Sequence, residues 1–273
     1  MKTNPLNNDI MQRYRYLYTI LALLCLQLVA TAQPICKVRT FGTENGLPAS
    51  VISGMTQSTD NLIWITTWNG LSCYDGYRFT TFRNIPGHDS QLTTNHLISV
   101  MPATNGNLWT TAYTDDVYMF DSHKCQYVNV SALITKKFQS KFSLRKIYPL
   151  TNGDTWVVGK YNEHYHMAKG DSDSDRDIRR FTLPGTLNKV VLDEFGDEWL
   201  FCDQGAFVYT EKGNPRQVTR LWVDFVEKIG NTLWLVTVDG KILHMKRGGK
   251  PAEVRLANKV DKVKEVKVIK GRM

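Results

Sequence analysis

The sequence predicts an all-β fold assembled from repeated units of four short strands, and three observations carry that prediction. Tryptophan recurs at Trp64, Trp109, Trp156, Trp199 and Trp234, at spacings of 45, 47, 43 and 35 residues. Each ring follows a polar turn by three or four residues, at Asp60-Asn61, Gly106-Asn107, Gly153-Asp154, Gly196-Asp197 and Gly230-Asn231. After the ring, an alternating segment reaches a second turn, clearest at Asn69-Gly70, Gln204-Gly205 and Asp239-Gly240. Such pairs accept the positive φ that a hairpin reversal needs. Residues 60–75 show the complete hairpin, and the chain repeats it; self-similarity at this period marks an array of supersecondary units.

Each hairpin is flanked by two more strands. The preceding ones are expected near 51–56, 97–101, 144–149, 188–192 and 223–228, and the following ones near 77–82, 126–130, 178–182, 216–220 and 252–256. Four strands in about 45 residues describe a blade of a β-propeller, and a blade that cannot bury both faces alone must stack on its neighbours. The sequence therefore predicts blades near 48–83, 95–130, 143–182, 187–221 and 222–257. The first strand of a further blade is expected at 262–273, where 263–270 resembles an opening strand and the next tryptophan would fall just past Met273. On this reading the chain is a partial propeller with an incomplete ring. The recurring tryptophan is expected to pack between blades rather than touch a ligand.

Taken in order, residues 1–32 read as a signal peptide. Arg13 and Arg15 supply positive charge, 17–30 is almost wholly apolar, and Ala30-Thr31-Ala32 is a small-residue cleavage site, placing the cut before Gln33. The apolar run of about 14 residues is short of the roughly 20 that span a bilayer. Neither Cys25 nor Cys36 follows the small residue that lipid attachment requires. Residues 33–273 are thus expected as a single exported, periplasmic domain without a membrane span. Residues 37–41 are the candidate for an outer strand clasping the ring, and 131–143 for a solvent-exposed connection marked by Lys136, Lys137 and Lys141.

Charge and cysteine content exclude several classes. The net charge of +8 arises largely from 246–273, where ten Lys and Arg face only Glu253, Asp261 and Glu265. That is a solvated charge run and not the broad basic face with interleaved aromatics that a nucleic-acid partner needs. Cys36, Cys73, Cys125 and Cys202 fit neither a zinc knuckle nor a CxxC pair and read as buried free thiols, with one bridge as the alternative. The acidic run 171–177 lacks the Gly and Glu of a calcium loop, having Arg176 and Thr182 at those places. His164 and His166 share a strand face, but no third metal ligand is identifiable from spacing, so both read as surface polar positions. No nucleophile elbow or carboxylate pair suits catalysis; the chain reads as a non-enzyme without cofactor or metal.

Binding is the stronger expectation. In propellers the loops between second and third strands share a rim with the interblade connections. Here they offer Trp68, Asn69, Tyr113, Asp115, Asp116 and Tyr161 as candidate ligand contacts. Aromatic faces beside carboxylates and amides suit a sugar, whose CH face stacks while its hydroxyls hydrogen-bond.

The first blade also resembles a known repeat. Gly46-Leu47-Pro48 leads into Val51, residues 60–67 follow, then Asn69-Gly70-Leu71, Tyr74-Asp75-Gly76 and Phe79, a pattern similar to the two-component regulator propeller repeat. The likeness remains good around 106–121 and thins later, where Trp156 lacks a following Gly-Leu. The resemblance implies the N-terminal sensory part of a hybrid two-component system, truncated before its membrane span and kinase. It also implies a homodimer in the full-length context, with oligosaccharides as the ligand class and polysaccharide use as the regulated process. The alternatives are a stand-alone exported binding or scaffold propeller and, behind it, a carbohydrate-active enzyme.

Overall fold

The computed structural model describes residues 14–19, 38–86, 91–169, 177–210 and 213–254. The chain divides into a short unit, Met1–Phe41, and a main unit, Gly42–Met273. In the short unit, residues 14–19 are helical and 38–41 are irregular, so the expected clasping strand is not formed there. No helix among the described residues is long and apolar enough to cross a membrane. The cleavage site, Cys36, positions 171–176 of the acidic run and the expected sixth-blade strand lie outside the described residues.

Among the described residues, the main unit holds five antiparallel sheets of four strands, each in simple up-and-down order. Blade 1 is β1 (Ile52–Gln57), β2 (Ile63–Thr67), β3 (Gly70–Tyr74) and β4 (Phe79–Phe82); blade 2 is β5 (Leu97–Pro102), β6 (Leu108–Ala112), β7 (Val117–Asp121) and β8 (Gln126–Asn129). Blade 3 is β9 (Leu144–Pro149), β10 (Thr155–Gly159), β11 (His164–Met167) and β12 (Ile178–Phe181). Blade 4 is β13 (Leu187–Leu192), β14 (Glu198–Cys202), β15 (Gly205–Tyr209) and β16 (Arg216–Thr219). Blade 5 is β17 (Val223–Ile229), β18 (Thr232–Thr237), β19 (Ile242–Met245) and β20 (Ala252–Val254). This is the four-stranded blade architecture the tryptophan repeat predicts.

The turns explain where the strands reverse. Asn61, Gly106, Gly153, Gly196 and Gly230 all take positive φ just ahead of their tryptophans. At the second turn Gly205 has φ 129°, and a Cβ there would collide with the Thr219 carbonyl, so this reversal needs glycine twice over. A further regularity was not legible in the sequence. In every blade the pairing of the first two strands skips one residue of the first, namely Ser53, Ile98, Arg145, Asn188 and Asp224. Each is a β-bulge, which bends the strand and increases its twist.

Packing follows strand alternation. The first four tryptophans face the next blade, and Leu108, Glu198 and Leu233, each just before a tryptophan, face the previous one. Trp64 lies among Leu97, Leu108 and Phe120 of blade 2, its ring 5.5 Å from that of Phe120. Trp109 lies among Leu144, Ile147 and Val157 of blade 3. Trp156 meets Leu200 and Tyr209 of blade 4, and Trp199 meets Leu233 and Leu235 of blade 5. These four rings are at most 3% exposed, whereas Trp234 of the last described blade is half-buried. Removing about 200 Å² per ring from water at roughly 25 cal/mol per Å² makes each worth about 5 kcal/mol.

Three expectations need correction. Part of the 131–143 connection is a helix, α1 (Val130–Phe138), capped by the Asn129 side chain on the Ala132 N–H at 2.9 Å. Lys136 and Lys137 do face outward at its C-terminal end, but Val130, Ser131 and Ile134 are buried against blade 2, four-residue spacing having outweighed polarity. Of the thiols, Cys73 and Cys202 are buried and free as expected, but Cys125 is free and exposed, because it stands in the turn before β8. His164 and His166 are not surface positions: both are buried on the blade 3 face that meets blade 4. Burial pushes the His164 imidazole down to about 4.

Two outcomes follow. Trp109→Ala should destabilise the fold by about 3–5 kcal/mol, and Trp234→Ala by clearly less, as read from urea midpoints. His164 is depressed in the folded state, so it adds stability above its unfolded pKa, and that contribution is lost as pH falls from about 6.5 towards 4. The urea midpoint should drop across that window, and His164→Phe should flatten the drop; an unchanged slope in the variant would contradict the assignment.

Candidate functional site

The rim is built by a repeated backbone contact. In blades 2 to 5 the N–H following the second strand donates to the residue preceding the first: Tyr113 to His96 O (3.0 Å), Lys160 to Ser143 O (2.9 Å), Asp203 to Thr186 O (3.4 Å) and Val238 to Trp222 O (2.9 Å). Blades are also tied to one another there, Gly70 N–H donating to Asn95 O and Leu144 N–H to Asp115 O, each at 2.8 Å. These bonds put the hairpin loops and the interblade connections on one surface.

On that surface aromatic rings gather across blades 1 and 2. Trp68 and His96 have centroids 4.4 Å apart, and His96 stacks on Tyr113 at 5.1 Å with planes 9° apart. Trp68 and Tyr113 are nevertheless 54% and 70% exposed, so ring surface remains open to a ligand. Tyr161 is 80% exposed on the neighbouring hairpin of blade 3. Asp115 joins the two hairpins by accepting from Lys160 Nζ at 2.5 Å and from Ser143 Oγ at 3.3 Å. Next to these groups, Tyr113 and Asp115 border a cavity of about 390 Å³ between β5 and β9, whose wall also carries Ser99, Thr111, Arg145 and Lys146.

The sequence-derived candidates thus separate. Trp68, Tyr113, Asp115 and Tyr161 stand on one rim with open surface. Asn69 is occupied in holding the loop, its Nδ2 donating to Pro48 O at 3.2 Å and its N–H to Thr67 Oγ1 at 3.0 Å. Asp116 accepts from Thr114 Oγ1 at 2.7 Å and from Tyr118 Oη at 3.5 Å, which turns its carboxylate towards its own hairpin. His96, absent from the sequence candidates, is the ring that joins Trp68 to Tyr113. Its position directly ahead of β5, in an interblade connection, was the available signal.

A second constellation is buried between blades 3 and 4. Trp156 needs an acceptor for its indole N–H. In blades 1 and 4 a residue six positions earlier provides one: Trp64 Nε1 donates to Ser58 Oγ at 3.0 Å and Trp199 Nε1 to Asp193 Oδ2 at 2.8 Å. The equivalent residue of blade 3 is Leu150. Trp156 Nε1 instead donates to Glu198 Oε2 of blade 4 at 2.5 Å. Glu198 occupies the position held by Leu108 and Leu233 in other blades and is 2% exposed. His166, cross-strand from Trp156 and 3% exposed, places Nε2 at 3.4 Å from Glu198 Oε1 and 3.7 Å from Asp154 Oδ2.

The electrostatics of this cluster follow from its contacts. Burial disfavours a charged His166, but its bonds to Asp154 and Glu198 prevail and raise it to about 9. Burial likewise pushes Asp154 up, yet the His166 contact and the Lys169 N–H at 2.6 Å hold it below the usual carboxylate range. Asn152 Nδ2 reaches both acids, at 3.1 Å from Asp154 Oδ2 and 3.4 Å from Glu198 Oε1. The partners that spacing did not supply to His166 come from a turn and from the next blade.

No family model matches the chain, and no curated protein matches it in sequence. Among solved structures, the extracellular domain of BT4673 from B. thetaiotaomicron, described as a one component system, is similar at 18% identity and TM-score 0.48, with 76% of this chain and 29% of that one covered. The extracellular domain of BT3049 from the same organism, described as a hybrid two component system, is similar at 14% identity and TM-score 0.42, over 83% and 38%. The dihydro-heme d1 dehydrogenase NirN is similar at 12% identity and TM-score 0.49, over 78% and 49%. The chain therefore spans between 29% and 49% of the length of these three proteins. The fold itself rests on the strand order, which makes the described part of the chain a tandem of four-stranded β-propeller blades.

Proposed function

We propose that this chain is the exported, periplasmic ligand-sensing module of a two-component signalling system, and that it works by binding rather than catalysis. The observation that carries this reading is the exposed Trp68–His96–Tyr113 stack beside the cavity bordered by Tyr113 and Asp115. Open ring faces next to a charged and hydroxyl-lined wall suit an oligosaccharide: the rings take its CH faces, and Asp115, Ser99, Thr111 and Arg145 take its hydroxyls. The site crosses blades, so a bound ligand bears on how they sit against one another, and in a homodimeric full-length receptor such a shift passes to the partner subunit. The first-blade repeat supports the placement in a sensor, and the charged N-terminal segment with its apolar run supports export.

Two measurements test the reading. Calorimetric titration of the purified chain with a panel of oligosaccharides should find a ligand, and Tyr113→Ala and Trp68→Ala should each weaken it about tenfold or more, equivalent to about 1.4 kcal/mol, while leaving the melting temperature within a degree or so of wild type. Equal affinity in both variants would move the site elsewhere. In cells, the native gene product should pellet with membranes; release with the periplasmic fraction would favour a free-standing binding or scaffold module.

A further inference from the structure

The buried cluster between blades 3 and 4 has the donor set of a metal site. Asp154, His166 and Glu198 offer one ligand atom each, and the three atoms lie within 4.8 Å of one another. A cation with bonds of about 2.1 Å needs donors about 3.0–3.5 Å apart. The imidazole-to-carboxylate separations of 3.4 and 3.7 Å nearly meet that, and bringing the carboxylates together takes a shift smaller than one bond length. Each carboxylate is also held through the oxygen turned away from His166: Trp156 Nε1 bonds Glu198 Oε2 and the Lys169 N–H bonds Asp154 Oδ1.

Glu198 and His166 are closed off from solvent, but the Asp154 side chain keeps 15% exposure, which gives a hydrated ion a way in past the turn before β10. One nitrogen and two oxygens match zinc better than calcium, which prefers all-oxygen sets.

We propose that Asp154, His166 and Glu198 bind a zinc-class divalent ion across the interface of blades 3 and 4, with water filling the remaining coordination. The ion clamps two blades through protein ligands from each. This site is separate from the rim, so its test does not depend on the sugar-binding reading.

The full chain, stripped with EDTA and dialysed, is titrated with Zn²⁺, with Ca²⁺ as the control. One equivalent should bind, and at a hundredfold excess over Kd the melting temperature should rise by about 5–10 °C. Co²⁺ should give visible d–d absorption of a low-symmetry four- or five-coordinate site. Asp154→Asn, at the open edge of the cluster, should abolish the Zn²⁺ shift while leaving the metal-free protein folded; Glu198→Gln, which keeps an acceptor for Trp156, should do the same. Tyr113→Ala should retain the shift. If Glu198→Gln fails to fold, Asp154→Asn and the cobalt spectrum decide. Absence of stoichiometric Zn²⁺ binding, a shift with Ca²⁺ alone, or an undiminished shift in Asp154→Asn would overturn the proposal and leave an ion-paired network.

Discussion

Burying an indole between two sheets creates an obligation, because its ring wants an apolar neighbour and its N–H wants an acceptor. The organisation of this chain follows from how each blade meets both demands. Trp64 and Trp199 find the apolar face on the next blade and the acceptor in their own preceding turn, at Ser58 and Asp193. Blade 3 has Leu150 at that position, and the acceptor is drawn from blade 4 as Glu198. Once a carboxylate enters an interface it needs compensation, and His166 and Asn152 turn their nitrogens towards it, with Asp154 sharing both donors. One changed turn residue thereby goes with a polar network spanning two blades.

The interfaces consequently differ in kind. Those joining blades 1 to 2, 2 to 3 and 4 to 5 are dominated by aliphatic and aromatic side chains, with α1 adding Ile134 to the second. The interface of blades 3 and 4 mixes Trp156, Phe181 and Tyr209 with two histidines and two acids. Apolar packing tolerates small sliding, whereas a directional charged network has defined geometries. The rim residues of blades 1 to 3 therefore sit on one side of this polar joint. On the other side, Arg247 of blade 5 grips Asp197 of blade 4 through two bonds of 2.6 and 2.7 Å, though its own side chain is half exposed.

Most of the fold was legible because its signals are local. Tryptophan spacing, the glycine or asparagine of each turn and two-residue alternation are short-range patterns, and packing reinforces them at Gly70 and Gly205, where a Cβ would meet the Phe82 and Thr219 carbonyls. What escaped reading depends on non-local partners. Residues 130–138 carry a cap and an apolar i, i+4 pair, but lysines masked them as a loop. His166 gained its partners from Asp154 and from Glu198, 32 residues away, which no motif spacing describes. The rim was half legible: loop position identified Trp68, Tyr113 and Asp115, but whether a side chain is free or consumed, as at Asn69 and Asp116, depends on neighbours seen only in three dimensions.

The bulges at Ser53, Ile98, Arg145, Asn188 and Asp224 give the first strand of every blade a shared property. Each of these strands is the edge of its sheet, with one row of backbone groups unpaired by its own blade. A straight edge is a template on which another strand can add, and adjacent straight edges could zip into one continuous sheet. The extra residue breaks the ladder's repeat near the strand's start and twists it out of line. Ser53 turns the irregularity to use, its Oγ donating to Leu97 O of the next blade at 2.7 Å, so the two edges meet through a side chain instead of a ladder. The blades thus remain separate sheets, joined by side-chain packing and by single backbone bonds at the rim such as Gly70 N–H to Asn95 O, so that no strand ladder runs from one blade into the next.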